Sequence, residues 1–172
     1  MKKVRIGIVG LGRLGRAHAN NLAFGVPGAE LVAACSVVDA ELTYAKEQLG
    51  VAKTYSDFGE MCKDPDIDAV AIVSPSTFHP EQISLALKAG KHIFCEKPLA
   101  VTLDECIATE KEVQQYPDLV FMLGFMRRYD PSYAYAKKKI EEGAIGTPYL
   151  VKATGVDPDA DAESLLDSGY VP

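Results

Sequence analysis

Three short segments of this 172-residue chain carry residue types whose spacing could do chemistry. Gly10-Leu11-Gly12-Arg13-Leu14-Gly15 has the G-x-G-x-x-G pattern of a phosphate-cradling turn. Gly10 permits a tight turn, Gly12 has no side chain to keep a pyrophosphate away, and Gly15 lets a helix pack closely on a strand. The first amides of that helix and the positive end of its dipole would meet the anion. Ser74-Pro75-Ser76-Thr77-Phe78-His79-Pro80 sets hydroxyls and a histidine just past an apolar run. Glu96-Lys97-Pro98 follows another such run, and a lysine directly after a buried strand is a chemical candidate. The competing readings are a solvated cation for Lys97 and a helix-start residue without ligand role for His79. Side chains alternate along a strand, so Glu96 and Lys97 need not pair.

The residue about 20 positions beyond a glycine loop selects the dinucleotide, because an acid there takes the ribose hydroxyls of NAD. Here that position is Ser36, followed by Val37 and Val38, with Asp39 the first acid. A serine tolerates a 2′-phosphate, but no Arg or Lys stands nearby to pair with one, and Asp39 would repel it. The expected cofactor is NAD, with NADP the alternative.

The elements that must position these segments alternate regularly. Strands are expected at Lys3–Val9, Glu30–Ser36, Val51–Tyr55, Asp68–Val73, Lys91–Cys95 and Leu119–Leu123, each short, apolar and bounded by turn residues. Helices are expected at Leu14–Ala23, Ala40–Leu49, Asp57–Lys63, Pro80–Ala89 and Thr102–Gln115, the last opened by the capping-box pattern Thr102-Leu103-Asp104-Glu105. A further helix starts at Asp130-Pro131 and stops at Gly143. Strand–helix alternation implies an α/β fold, a doubly wound parallel sheet, whose ligands bind beyond the carboxyl ends of the strands. The expected division is a dinucleotide-binding Rossmann domain over 1–125. It is followed over 126–172 by a linking helix, one strand at Pro148–Gly155 and an acidic tail, the beginning of an incomplete second α/β domain.

Composition narrows the function class. The net charge of −6 argues against general affinity for nucleic acid or anionic membrane. No apolar run approaches the roughly 18 residues of a membrane span, and the N-terminus enters strand pattern at once, without a targeting segment. Cys35, Cys62, Cys95 and Cys106 are far apart, and His18, His79 and His92 show no ligand spacing to them. Buried thiols in a reducing cytoplasm are expected, and no metal site.

Four segments together resemble the glucose–fructose oxidoreductase/inositol dehydrogenase (Gfo/Idh/MocA) family, nearest to its inositol 2-dehydrogenases: Gly10–Gly15, Ser74–His79, Cys95-Glu96-Lys97-Pro98-Leu99 and Gly124-Phe125-Met126-Arg127-Arg128-Tyr129-Asp130-Pro131. The likeness covers about residues 1–155. It implies an NAD(P)-dependent oxidoreductase that moves a hydride from a secondary alcohol of a cyclic polyol such as myo-inositol to the nicotinamide. It also implies that Lys97 polarises the reacting hydroxyl as the catalytic residue. The cofactor-binding residues it implies are Gly10, Gly12, Arg13, Leu14, Gly15, Ser36, Ser74, Pro75, Ser76, His79, Glu96, Lys97 and Arg127, with Arg128 beside them. Full-length members form homo-oligomers and are about twice as long, with an Asp-x-x-x-His motif in a second domain completing the proton relay. No such motif follows residue 155. The expectations are therefore a chain truncated to the N-terminal half, and either an enzyme, a catalytically incomplete nucleotide-binding module, or a dehydrogenase of another sugar.

Overall fold

Apolar, β-branched runs form strands and amphipathic runs form helices, in the alternation that the sequence predicts. The computed structural model describes residues 2–154. The chain divides into two units, one running to Met126 and one starting at Arg127. The first contains β1 (Val4–Val9), α1 (Arg13–Asn20), a π turn (Asn21–Gly25), β2 (Ala29–Cys35), α2 (Asp39–Leu49), β3 (Lys53–Tyr55) and α3 (Phe58–Lys63). It continues with β4 (Ala69–Ile72), a 3₁₀ turn (Ser76–Phe78), α4 (His79–Lys88), β5 (His92–Cys95), α5 (Leu103–Val113) and β6 (Phe121–Leu123). The second unit contains α6 (Pro131–Glu141), capped by Asp130, whose carboxylate accepts the Ser132 amide at 2.9 Å.

The six strands form one parallel sheet in the order β3-β2-β1-β4-β5-β6. Its register decides what can become a site. Cys35, Val9, Ile72, Cys95 and Leu123 pair in succession across β2, β1, β4, β5 and β6. The chain therefore leaves the sheet along one carboxyl edge at Ser36, Gly10, Val73, Glu96 and Gly124. The amides just past the strands extend the ladder: Gly10 donates to the Cys35 carbonyl at 3.1 Å, Val73 to Val9 at 2.9 Å and Glu96 to Ile72 at 2.9 Å.

Period-two alternation divides the core between the two faces. Val9, Cys35, Ile72 and Cys95 pack with Met61 of α3 and with Ile83 and Leu87 of α4. Ile8, Ala34 and Ala71 point the other way, onto Ala19 of α1 and Ala45 of α2. Ile83 and Leu87, four residues apart on one stripe of α4, are fully buried. Each contributes about 1.5–3 kcal/mol by burial, and Ile83→Ala would cost about 2–5 kcal/mol. The capping box expected for α5 is present, with Thr102 Oγ1 accepting the Glu105 amide and the Glu105 side chain accepting the Thr102 amide. At the opposite edge of the sheet Asp64 accepts from Lys53 Nζ at 2.8 Å and Tyr55 Oη at 2.7 Å, tying β3 to the turn before β4.

The differences from expectation are local. The first helix ends at Asn20 and widens into the π turn, which takes residues 21–23 of the predicted helix and runs on to Gly25. The third strand loses Val51 and Ala52, and the sixth begins at Phe121 rather than Leu119, because strand pairing sets their limits. Residues 148–154 of the expected strand at Pro148–Gly155 form no strand, since they have no neighbouring strand to share a ladder with among the described residues. Gly155 and the acidic stretch 156–172 lie outside the described residues.

Candidate functional site

The glycine loop joins β1 to α1 at the carboxyl edge. Gly10 has φ +85°, and a Cβ there would lie 2.6 Å from the Val73 carbonyl oxygen, so only glycine fits. A Cβ on Gly15 would run into the Gly10 carbonyl, which is what lets α1 lie close against β1. Gly12 is different. It is the N-cap of α1, with φ −65° and ψ −167°, and a Cβ on it would meet nothing within 4 Å among the described residues. Its absent side chain leaves open space over the start of the helix, where α1 has neither a side-chain cap nor an acid in its first turn. Orphan amides and open space together fit a pyrophosphate. Arg13 and Leu14 are exposed beside this turn.

Ser36 closes the next loop toward β3. It is 7% exposed, and its hydroxyl donates to Glu41 Oε2 at 2.6 Å while accepting the Val38 amide at 3.0 Å. Glu41 is half-buried in the first turn of α2. Asp39 is the first acid after the strand, but Glu41, two residues on, is the one that meets the serine. A glutamate five residues past the strand-end serine is the signal that could have found it.

On the other side of β1 lie the loops after β4 and β5. Ser74 Oγ donates to Gln82 Oε1 at 2.5 Å. Pro75 is exposed, and its carbonyl accepts the Phe78 amide at 3.0 Å, closing the turn that holds Ser76. The His79 ring is 1% exposed and bridges two carbonyls, with Nε2 at 3.0 Å from Ser74 O and Nδ1 at 2.8 Å from Pro98 O. This side chain is a strut between the two loops, so any part it has in a ligand site comes through their positions.

Glu96 and Lys97 diverge as strand alternation requires. Glu96 Oε1 lies 2.8 Å from His18 Nε2, and His18 also packs on the Phe94 ring at 5.3 Å between centroids. Glu96 Oε2 accepts the Lys97 amide at 3.1 Å. Lys97 is exposed, before a cis bond to Pro98, and its ammonium has no ion-pair partner among the described residues. His18, one turn past Gly15, is a second residue at this edge that spacing alone does not assign. Only the fold brings it to a carboxylate 78 residues away. In the second unit the Arg127 guanidinium donates to Asp130 Oδ2 at 3.0 Å and lies 5.2 Å from the Tyr133 ring centroid. Arg128 is exposed.

No group of three or more His, Cys, Asp or Glu able to hold a metal ion occurs among the described residues. No helix among them is long and apolar enough to cross a membrane. The four cysteines are free, and burial pushes the Cys35, Cys62 and Cys95 thiols up to about 12.

The chain is similar to known proteins along nearly its whole length. The chain is 42% identical over 170 residues to scyllo-inositol 2-dehydrogenase (NAD(+)) of Bacillus subtilis, covering 98% of this chain and 49% of that protein. It is 39% identical over 155 residues to myo-inositol 2-dehydrogenase of Thermotoga maritima, covering 90% of this chain and 46% of that one. Among solved structures, scyllo-inositol dehydrogenase of Lactobacillus casei with bound NAD(H) and scyllo-inositol matches at a TM-score of 0.92 and 48% identity, over 97% of this chain and 49% of that one. The chain thus spans about half the length of the curated relatives it matches. The model of the GFO_IDH_MocA oxidoreductase family, an NAD-binding Rossmann fold, matches residues 4–125, nearly the whole six-stranded unit with its glycine loop, and the chain therefore belongs to the Gfo/Idh/MocA oxidoreductase family.

Proposed function

We propose that this chain is the cofactor-holding part of an NAD-dependent dehydrogenase that oxidises a secondary alcohol of a cyclic polyol, with scyllo- and myo-inositol as first candidates. One observation carries the reading. The glycine loop, the Ser74 loop and Lys97 follow the adjacent strands β1, β4 and β5 at a single edge, beside the point where strand order reverses. That crevice is where doubly wound sheets hold dinucleotides. Two strand spacings, about 10 Å, separate the ends of β1 and β5, so an extended dinucleotide anchored on the loop reaches the lysine.

Gly10, Gly12 and Gly15 with the first amides of α1 hold the pyrophosphate, and Arg13 and Leu14 flank it. Ser74, Pro75 and Ser76 line the nicotinamide end. NAD supplies the hydride acceptor. Lys97, with its ammonium unpaired among the described residues, hydrogen-bonds the reacting hydroxyl and polarises it for loss of its proton. Glu96 is fastened to His18 and to the Lys97 amide, so it orients the lysine backbone rather than neutralising its charge. Arg127 is assigned to the cofactor by family resemblance alone. In this reading residues 1–125 are the dinucleotide-binding domain. The protein works in the reducing cytoplasm, and its partners are a small polyol and further copies of itself.

The test is calorimetry with NAD on the chain as it stands. It is followed by NADH formation with each inositol, by the chain alone and by a fusion to the second half of the Bacillus subtilis relative. Saturable NAD binding and inositol-dependent NADH from the fusion are expected. Absence of NAD binding overturns the reading. NAD binding with an inactive fusion points instead to a nucleotide-binding module.

A further inference from the structure

We propose that Glu41 is the acid that takes the adenosine ribose and sets the preference for NAD over NADP, with Ser36 as the residue that positions it; this rests on the dinucleotide reading above. The end of the second strand of a doubly wound sheet faces the ribose. Here that end carries no acid, only a buried serine. The Ser36 hydroxyl has one proton to donate, and Glu41 takes it at 2.6 Å. The serine therefore has no proton left for a ribose or a phosphate, and the group it presents at the strand end is the carboxylate of Glu41.

The backbone explains how a residue of α2 reaches that place. The helix begins at Asp39, three residues past Ser36, and the Val38 amide on Ser36 Oγ at 3.0 Å tightens the turn between them. Glu41 lies in the first helical turn, so its side chain folds back over the strand end. Being half-buried, it rests one oxygen on Ser36 and keeps Oε1 for other donors. A ribose diol offers two O–H donors to a carboxylate, and such charge-assisted bonds are strong. A 2′-phosphate would bring negative charge against Glu41 and against Asp39 in the same turn. Residues 36–45 contain no Lys or Arg to offset it. Arg16 is turned away, donating to the Leu11 carbonyl at 3.3 Å with its guanidinium 4.6 Å from the Tyr44 ring centroid.

The experiment measures Kd for NAD and NADP by calorimetry on the full chain, its Glu41→Gln variant and its Ser36→Ala variant. Glutamine keeps the shape and can still accept from Ser36, but it removes the charge. The unaltered chain should bind NAD more tightly. Glu41→Gln should lower the NAD-over-NADP preference by at least about tenfold, the scale of one lost charged hydrogen bond. Ser36→Ala should lower it in the same direction by less, with NADP binding improved. A merely structural role would weaken both dinucleotides alike. An unchanged ratio in Glu41→Gln, or a wild-type preference for NADP, overturns the proposal. Should Glu41→Gln not fold, the unaltered chain is compared on NAD and on NAD lacking the adenosine 2′-hydroxyl. Equal affinity for the two overturns the proposal, and a loss of about tenfold supports it. If the unaltered chain binds no dinucleotide at all, the broader reading fails and takes this one with it; if it binds NAD, only the Glu41 assignment is at stake.

Discussion

Gly12→Val separates ligand binding from folding more cleanly than any other change in the glycine loop. At Gly12 the backbone is extended, at φ −65° and ψ −167°, and a Cβ meets nothing within 4 Å among the described residues, so the fold tolerates a side chain. The remaining cost is that of a poor N-cap residue, about 0.5–1 kcal/mol, or about 1–4 °C in melting temperature for a chain of this size. For the ligand the same side chain stands over the first amides of α1. Losing one amide bond to a charged phosphate costs about 1.5–3 kcal/mol, which is about a 10–150-fold weaker Kd for NAD. Gly15→Ala should do the opposite. Its methyl would run into the Gly10 carbonyl, so the helix must shift and the melting temperature must fall well beyond that of Gly12→Val. Calorimetry for affinity and circular dichroism for melting read both quantities, and the absence of tryptophan makes a tryptophan-emission assay unusable. A Gly12→Val protein that binds NAD like the unaltered chain would falsify the assignment of the pyrophosphate to this loop. So would one that melts as early as Gly15→Ala, because the cause would then be the fold.

Lys97→Ala should leave the melting temperature unchanged, since the side chain is exposed and its ammonium is unpaired among the described residues. In the inositol-active fusion it should lower kcat by about 10²–10⁴, and normal turnover would remove Lys97 from the chemistry. A thiol-specific disulfide reagent in native buffer should label the half-buried Cys106 first. Cys35, Cys62 and Cys95, held protonated by burial up to about 12, should react only on unfolding; fast release of more than one equivalent contradicts that. The Asp68 carboxyl is held well below the usual range by the Arg5 guanidinium and backbone amide, and that of Asp64 by Lys53, Tyr55 and the Asp66 amide. A depressed folded value means that their stabilisation is complete above the unfolded value of about 3.9 and is lost as pH falls through the folded one. Melting temperature should therefore drop steadily below about pH 4, and Asp68→Asn should flatten that drop; an identical acid slope in the variant rules out this source.

Much of the molecule was legible in the sequence because the signals were local. A G-x-G-x-x-G between a strand and a helix needs only short-range backbone geometry, and the capping box at Thr102–Glu105 and the Asp130-Pro131 start of α6 are hydrogen-bond patterns within four residues. Short apolar runs alternating with helical periods imply a parallel sheet because parallel strands require crossovers. The order of those strands is another matter. It brings the ends of β1, β4 and β5 side by side, and no interaction between near neighbours in the chain encodes it. For that reason His18 could not be paired with Glu96 in advance, nor His79 recognised as a buried strut between Ser74 and Pro98. The expected strand near residue 150 had the right composition, but a strand exists only with a partner to complete its ladder. Ser36 is the sharpest case. Its place at the end of β2 was evident from spacing, but which group it would present depended on how tightly α2 turns back, and that turn carries Glu41 to the serine. Residue type and spacing thus determined where a dinucleotide could meet the chain, while tertiary packing decided which side chains are left free to touch it.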